Sequence, residues 1–190
     1  MRRGNLFVIS GPSGAGKGTL VALLMKAIPD GWLSVSATTR APRAGETEGA
    51  SYLFKTREQF DRMVEEGDLL EWAEYGGNCY GTPKSSVLAA VRAGKQVVLE
   101  IDVQGAFQVK ELFPDAHLVF IEPPSAEVLR SRLEGRGTDA PEAVERRLET
   151  AKRELAQADR YEFRLVNDDL EEALDQLVSY VNHCATSDKD

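Results

Sequence analysis

Residues 11–17 read Gly-Pro-Ser-Gly-Ala-Gly-Lys, and this glycine-rich loop lies between an apolar run at 6–9 and leucines at helical spacing from Leu20 onward. A buried strand, a glycine turn and a helix in this order are typical of a phosphate-binding loop. Glycines let successive backbone N–H groups face an anion, and the helix N-terminus adds its dipole. Lys17 would place a compact positive charge beside the β- and γ-phosphates of a nucleotide. The alternative is a glycine-rich turn without a ligand, and the flanking pattern favours the phosphate loop.

The rest of the chain alternates apolar runs with amphipathic stretches. Runs at 97–101, 118–121 and 163–166 predict buried strands, and helical spacing predicts helices over about 104–113 and 170–181. Strands and helices that alternate in this way form a parallel sheet covered on both faces. We therefore predict an α/β fold with three layers.

Two segments interrupt this alternation. Residues 36–83 carry spaced aromatic residues and many turn residues, which predicts an inserted lobe with short strands outside the parallel sheet. Within it, Thr56 with Gln59 three residues later predicts a capped helix. Residues 132–147 are charged and contain glycine, which indicates a mobile lid between two helices. We expect one domain over residues 1–190, with a core formed by 1–35, 84–131 and 148–190.

The charge and cysteine content narrow the possible partners. The chain of 190 residues has a formal net charge of −8. Because affinity for a nucleic-acid backbone requires clustered Lys and Arg, nucleic acid is not the expected partner. Cys79 and Cys184 lie far apart without metal-ligand spacing, so we expect thiols in a reducing compartment. No apolar stretch approaches the roughly 20 residues of a membrane span. We expect a cytoplasmic protein with no membrane partner, and the oligomeric state stays open.

One position departs from the usual phosphate-loop pattern. Ser or Thr usually follows the lysine and contacts Mg²⁺, but here Gly18 follows Lys17. Since one residue on a helix turns by about 100°, the hydroxyl of Thr19 does not simply replace the missing one. We therefore expect nucleotide oxygens and water to hold the Mg²⁺ that accompanies ATP. Glu100 and Asp102, on one face at the end of a predicted strand, are candidates for a contact through water, or else solvated acids.

Three further groups of side chains have both a functional and an ordinary interpretation. Arg40 and Arg43, with a proline between them, suit a loop that holds one phosphate, or they are solvated arginines. The segment 71–82 has a carboxylate, a tyrosine and a hydroxyl that could read a base edge, or it is a hairpin with packing aromatics. The third group is a set of three arginines, Arg132, Arg136 and Arg147. They could stabilise a transferring phosphoryl group and exclude water, or they form a solvated helix face.

In their order and spacing, these segments resemble the guanylate kinase family. The similar segments are 11–17, 36–46 with Tyr52, 71–82, 99–105, 132–137 and 166–169. The resemblance covers about residues 5–182. Each segment alone is modest evidence, whereas six in order are highly specific. The chain departs from commoner forms of the family at Gly18, at Thr82 where serine is frequent, and at Glu100 where aspartate is frequent.

The resemblance implies a P-loop kinase fold with a GMP-binding lobe and a helical lid. It implies Mg²⁺-dependent transfer of the γ-phosphoryl group of ATP to GMP, and to dGMP. The implied GMP-binding residues are Ser36, Arg40, Arg43 and Tyr52 at the phosphate, Glu71 and Thr82 at guanine, and Tyr80 and Asp102 lining the site. The implied ATP-binding residues are Gly11, Pro12, Ser13, Gly14, Ala15, Gly16, Lys17, Gly18, Thr19 and Asn167. The implied catalytic residues are Lys17, Arg132, Arg136 and Arg147.

Two other functions are compatible with parts of the pattern. Guanylate-kinase-like modules of scaffold proteins bind phosphorylated partners without catalysis, but their ATP loops are usually degraded, whereas this chain keeps Lys17. A P-loop kinase that acts on a sugar phosphate would be expected to lack a base-reading carboxylate such as Glu71. We therefore expect a nucleoside monophosphate kinase.

Overall fold

The computed structural model describes residues 2–135 and 141–187. The strands in this part of the chain are β1 (Asn5–Ser10), β2 (Gly31–Leu33), β3 (Ala37–Thr38), β4 (Leu53–Phe54), β5 (Leu69–Tyr75), β6 (Asn78–Pro83), β7 (Gln96–Glu100), β8 (His117–Glu122) and β9 (Phe163–Val166). The helices are α1 (Lys17–Ala27), α2 (Arg57–Glu65), α3 (Lys84–Arg92), α4 (Val103–Leu112), α5 (Ala126–Glu134), α6 (Pro141–Leu155) and α7 (Leu170–Thr186).

The larger sheet is parallel and has the strand order β2-β7-β1-β8-β9. Alternate residues of its central strand enter different cores: Leu6 and Val8 pack with α3 and α4, whereas Phe7 and Ile9 pack with α1 and α7. A strand buried on both faces has no polar side, which explains the continuous apolar run. The predicted three-layer α/β fold is confirmed.

A smaller sheet, with the order β4-β3-β6-β5, is built from residues within 36–83. It has its own apolar cluster, in which Phe60 of α2 packs against Leu69 and Cys79. The helix begins as predicted, because Thr56 and Gln59 form a capping box. Strand β5 has a register irregularity between Leu69 and Glu71. Such a bulge re-aims the side chains that follow it, and here it precedes the site described below.

The structure differs from the sequence-based expectation in three places. The edge strand β2 and the helix α3 were not predicted, because β2 is only three residues long and α3 begins directly after a strand without a side-chain cap. The segment 132–147, predicted to lie between two helices, includes the last turn of α5 and the first half of α6, so its predicted boundaries are wrong. Residues 136–140 of this segment lie outside the described part of the chain. None of the helices in the described ranges is long and apolar enough to cross a membrane.

Candidate active site

An open cleft of about 1390 Å³ runs from the carboxyl ends of β1 and β7 to the smaller sheet. This edge of a parallel sheet is where open α/β folds bind ligands. The predicted site residues that line the cleft are Gly11, Ser13, Lys17, Ser36, Arg43, Tyr52, Glu71, Tyr80, Glu100, Asp102 and Arg147. Since pockets for one small ligand usually occupy about 300–1,000 Å³, the cleft is large enough for two.

The glycine-rich loop forms one end of the cleft and begins where β1 ends. Gly16 has a φ of +92°, and a Cβ atom built there would lie 2.3 Å from Asn167 Nδ2, so both conformation and space require glycine. Lys17 Nζ donates to the carbonyl oxygens of Gly11 and Pro12, the latter at 3.1 Å. The ammonium group is therefore folded back over the glycine-rich loop.

Two predicted residues support this loop from behind and do not line the cleft. Asn167, which directly follows β9, donates from Nδ2 to the Ala15 carbonyl oxygen at 2.7 Å. Arg132, in the last turn of α5, donates from Nη2 to the Asn167 carbonyl oxygen at 3.1 Å. These contacts join β9 and α5 to the phosphate loop. Asn167 and Arg132 are thus placed to hold the loop's shape.

A second arginine reaches the loop from α6. Arg147 lies in α6, lines the cleft and donates from Nη2 to Ser13 Oγ at 2.6 Å. Its guanidinium group therefore lies beside the loop that would bind phosphate. Arg136, the third arginine of the predicted set, lies outside the described residues.

The acids predicted near a metal have different environments. Glu100 is the last residue of β7, and a Cβ atom built at Gly18 would lie 3.7 Å from Glu100 Oε1. Burial raises the pKa of Glu100, while the nearby charge of Lys17 lowers it. Asp102 lies beyond the strand and caps α4, where its Oδ1 accepts from the Gly105 N–H at 2.8 Å. The assumption that both acids belong to one strand face is therefore wrong, although both line the cleft.

The other end of the cleft contains a buried carboxylate. Glu71 of β5 is only 6% exposed, and its Oε1 accepts from Thr82 Oγ1 at 2.6 Å. Thr82 lies opposite Glu71 on β6 and is fully buried behind it. Burial raises the pKa of Glu71 to about 7, and the charge of Asp102 adds to the rise, while the Thr82 hydrogen bond opposes it. A carboxylate kept out of water in this way is a strong acceptor for a ligand that brings paired donors.

The loop between β3 and β4 holds the two predicted arginines. Arg40 Nη2 donates to Glu46 Oε1 at 2.7 Å, and the guanidinium lies 5.3 Å from the centre of the Tyr52 ring. Glu46 Oε2 accepts from the Arg43 N–H at 2.8 Å. The Glu46 carboxylate therefore closes the loop, because it binds the side chain of Arg40 and the backbone N–H of Arg43. The Arg40 side chain is engaged by this pair and does not line the cleft, whereas Arg43, Tyr52 and Ser36 do.

Several cleft residues were missed in the sequence interpretation. Arg146, Thr150, Arg153 and Glu154 lie on α6 and face the cleft together with Arg147. Thr150 follows Arg146 and Arg147 by four and three residues, and Arg153 and Glu154 follow Thr150 by three and four, so all lie on one helix face. This periodicity was the available signal. The loop-closing role of Glu46 could have been inferred only from a structure, because the sequence does not show which charged neighbours pair.

Comparison with known proteins identifies the family of this chain. The model of the family described as "Guanylate kinase" matches residues 3–184. The guanylate kinase of a Synechocystis species is 52% identical over 179 residues, which are 94% of each chain. The guanylate kinase of Streptomyces kasugaensis is 55% identical over 177 residues, which are 93% of this chain and 86% of that relative.

Two solved structures are similar to this chain in fold. A crystal structure of guanylate kinase from Anaplasma phagocytophilum superposes with a TM-score of 0.80 at 34% identity, covering 98% of this chain and 88% of the other. A gluconokinase from Sinorhizobium meliloti, at 18% identity and a TM-score of 0.51, shares the fold only. The chain therefore belongs to the guanylate kinase family and is a nucleoside monophosphate kinase.

Proposed function

We propose that this enzyme transfers the γ-phosphoryl group of ATP to GMP, and to dGMP, in the presence of Mg²⁺. The observation that carries the proposal is the buried carboxylate of Glu71, which shares one cleft with the phosphate loop around Lys17. A site for a base and a site for a triphosphate at opposite ends of one cleft suit a two-substrate kinase.

Glu71 and Thr82 read the guanine edge in this proposal. Guanine presents two neighbouring donors, the N1–H and the exocyclic amine, and the two oxygens of a carboxylate accept from both. Adenine has an unprotonated N1 and lacks the 2-amino group, so it would leave the buried charge of Glu71 without this pair of donors. A polar site that loses its hydrogen-bonding ligand in this way rejects the wrong ligand strongly. Thr82 fixes one carboxylate oxygen at 2.6 Å and thereby orients the other.

In this proposal, the phosphate of the acceptor GMP binds between Ser36, Arg43, Tyr52 and Arg40. Arg43, Ser36 and Tyr52 already line the cleft. Arg40 is held by Glu46 and by the Tyr52 ring, so its charge has a defined position before any ligand binds. A guanidinium group that is already oriented loses less side-chain entropy when it binds a phosphate. Tyr80 and Asp102 line the remaining walls between phosphate and base.

In this proposal, the loop from Gly11 to Thr19 surrounds the ATP phosphates, and its backbone N–H groups face the anion. Lys17 exchanges its two carbonyl partners for phosphate oxygens. Arg147 and Arg136 approach the phosphoryl group in transfer, while Arg132 and Asn167 act mainly by holding the loop. Since the transition state spreads charge over the equatorial oxygens, positioned cations supply most of the catalysis.

The residues beside the loop fit a Mg²⁺ ion that is held mainly by nucleotide oxygens. Mg²⁺ keeps several waters and takes one or two carboxylates along with substrate phosphates. The described residues contain no group of three or more acidic, histidine or cysteine side chains that could form a full metal cage. Glu100, beside Gly18, is the carboxylate best placed for a contact through water, with Asp102 further along the cleft. The ion would neutralise charge on the phosphates of ATP.

The reaction itself needs no covalent intermediate. An oxygen of the GMP phosphate forms a bond to the γ-phosphorus of ATP as the bond from that phosphorus to the bridging oxygen breaks, which yields GDP and ADP. The chain supplies alignment, positive charge and exclusion of water. We assign the reaction to the cytoplasm, in keeping with Cys79 and Cys184, which remain thiols.

A coupled assay that detects ADP tests this proposal directly. The full-length enzyme is given ATP and Mg²⁺ with GMP, dGMP, AMP, UMP or ribose 5-phosphate as the acceptor. We expect kcat/KM for GMP to exceed that for AMP by on the order of 10² or more, and chelation of Mg²⁺ to abolish turnover. Equal use of AMP, a preference for ribose 5-phosphate, or GMP binding without turnover would each contradict the proposal.

A further inference from the structure

Gly105 is a glycine inside a helix, where its backbone does not require one. It is the third residue of α4 and has a negative φ that any residue could adopt. Glycine in a helix interior costs about 1 kcal/mol relative to alanine. Gly105 is also buried. The reason for glycine at this position must therefore be space and not conformation.

The space beside Gly105 is occupied by the carboxylate of Glu71. A Cβ atom built at Gly105 would lie 2.7 Å from Glu71 Oε2, 3.1 Å from Glu71 Cδ and 3.3 Å from Ile101 Cδ1. Real Cβ atoms essentially never come within 3.0 Å of another heavy atom. The nearest atom is a carboxylate oxygen at the end of a side chain, so an added methyl group would displace this oxygen before it displaced the backbone.

The strand that carries Glu71 cannot easily move away as a whole. Gln108, one turn after Gly105 on the same face of α4, accepts from the Trp72 N–H at 3.3 Å through its Oε1. Thr82 holds Glu71 Oε1 from the other side at 2.6 Å. The backbone of β5 is held beside α4, and Thr82 holds Glu71 Oε1. The position of Glu71 Oε2 therefore depends on the space left by the missing side chain of Gly105.

We infer that Gly105 is a specificity-determining positioning residue, whose missing side chain provides the volume that Glu71 Oε2 occupies when it faces guanine. This inference rests on the proposed role of Glu71. Gly105 itself contacts no reacting atom. It acts through Glu71, and its amide separately completes the Asp102 cap of α4. An alanine at 105 would keep that amide and favour the helix, while it moved the second acceptor oxygen.

The test is Gly105→Ala, with steady-state kinetics for both substrates and a thermal melt. We expect the KM for GMP to rise by about tenfold or more, because one charge-assisted hydrogen bond to the base is lost. The kcat and the KM for ATP should stay within about twofold, and the GMP-over-AMP preference should narrow. Gln104→Ala, an exposed change in the same turn of α4, is the matched control and should leave all constants unchanged. An unchanged KM for GMP in Gly105→Ala would overturn the inference.

A second background separates a steric effect on Glu71 from other damage. Asp at position 71 is one methylene shorter, so its carboxylate no longer reaches the volume beside residue 105. In the Glu71→Asp enzyme, adding Gly105→Ala should therefore change the KM for GMP by less than about twofold. If Gly105→Ala alone folds poorly, Glu71→Asp should restore folding in the double variant. An equal effect of Gly105→Ala in both backgrounds, or a double variant that still fails to fold, would overturn the inference.

Failure of the inference and failure of the proposed function give different results. If Glu71→Gln raises the KM for GMP but Gly105→Ala does not, only the role of Gly105 is wrong. If Glu71→Gln also leaves GMP kinetics unchanged, Glu71 does not read guanine, and the proposed function loses its main support.

Discussion

The two ends of the cleft hold their polar groups in different ways. At the phosphate loop, Lys17 and Arg132 donate to backbone carbonyl oxygens, and Arg147 donates to a hydroxyl. At the other end, Glu71 is nearly excluded from water, has Thr82 as its side-chain partner, and has a pKa raised to about 7. The loop end thus presents cations bonded to carbonyl and hydroxyl oxygens, whereas the opposite end presents a desolvated acceptor.

This difference assigns separate tasks to the two ends. A cation that is bonded to carbonyl oxygens can exchange them for phosphate oxygens at little cost, and it then stabilises charge that develops during transfer. A buried carboxylate forms few hydrogen bonds with water, so only a ligand whose donors match its two oxygens binds it favourably. We therefore expect changes at the loop to lower kcat, and changes around Glu71 to alter the KM and selectivity for GMP.

The largest effect should come from the loop end. Lys17→Met removes the charge but keeps a side chain of similar length, and its hydrogen bonds to the Gly11 and Pro12 carbonyl oxygens belong to the loop and not to a core. We expect kcat to fall by on the order of 10² or more, with a melting temperature close to that of the wild type. Near-normal turnover in a folded variant would show that the two ends do not divide the work in this way.

A pH profile should distinguish the ends next. Below pH 7 the free enzyme increasingly carries a protonated Glu71, which has lost one of its acceptor oxygens. We expect kcat/KM for GMP to rise with pH and level off above about 7, with a slope of up to about tenfold per pH unit on the acid side.

The Glu71→Gln enzyme is the control for that profile. The GMP phosphate has its own ionisation near pH 6, which remains in both enzymes. The limb near pH 7 should therefore disappear in Glu71→Gln, while the one near pH 6 stays. An unchanged limb near pH 7 in the variant would mean that another group titrates there.

The smallest effect is expected at Gly18. A Cβ atom there would lie at least 3.7 Å from Glu100, and the helical backbone suits serine. Gly18→Ser should leave an active enzyme, with the Mg²⁺ concentration for half-maximal rate unchanged or lowered. Gly16→Ser is the contrast: its φ of +92° and the 2.3 Å approach to Asn167 predict a large loss of activity. An inactive but folded Gly18→Ser enzyme would indicate that close backbone approach to the phosphates, and not metal binding, requires Gly18.

The sequence predicted the parallel core well because strands buried on both faces carry an unbroken apolar signal. The strand over 163–166 was predicted with the bounds of β9, and the glycine-rich loop connects a strand to a helix as its pattern indicated. The capping box at Thr56 is likewise a local pattern, which a sequence displays directly. Elements that a local sequence pattern specifies in this way were therefore predictable.

The remaining features are not specified by a local pattern. Asp102 caps α4 and Glu46 pairs with Arg40 over short separations, but the sequence offers each acid several possible partners. The contact between Gly105 and Glu71 joins distant segments, so the sequence does not reveal it. The extent of α6 was missed because its charged residues suggested a mobile segment, although Val144 and Leu148 pack it against α5. Pairing and packing across the fold decide these features, and they become visible only in three dimensions.

The central claim is that the buried carboxylate of Glu71 selects guanine, and one variant tests it directly. In Glu71→Gln the amide oxygen can keep the Thr82 hydrogen bond, so the amide nitrogen takes the other position and meets the guanine donors with a donor. The matched control is Glu74→Gln, an exposed position on the same strand. Steady-state kinetics with GMP, AMP and ATP should show a KM for GMP raised by about tenfold or more in Glu71→Gln, a narrower GMP-over-AMP preference and an unchanged KM for ATP. Constants that stay within about twofold of the wild type in both variants would contradict the claim.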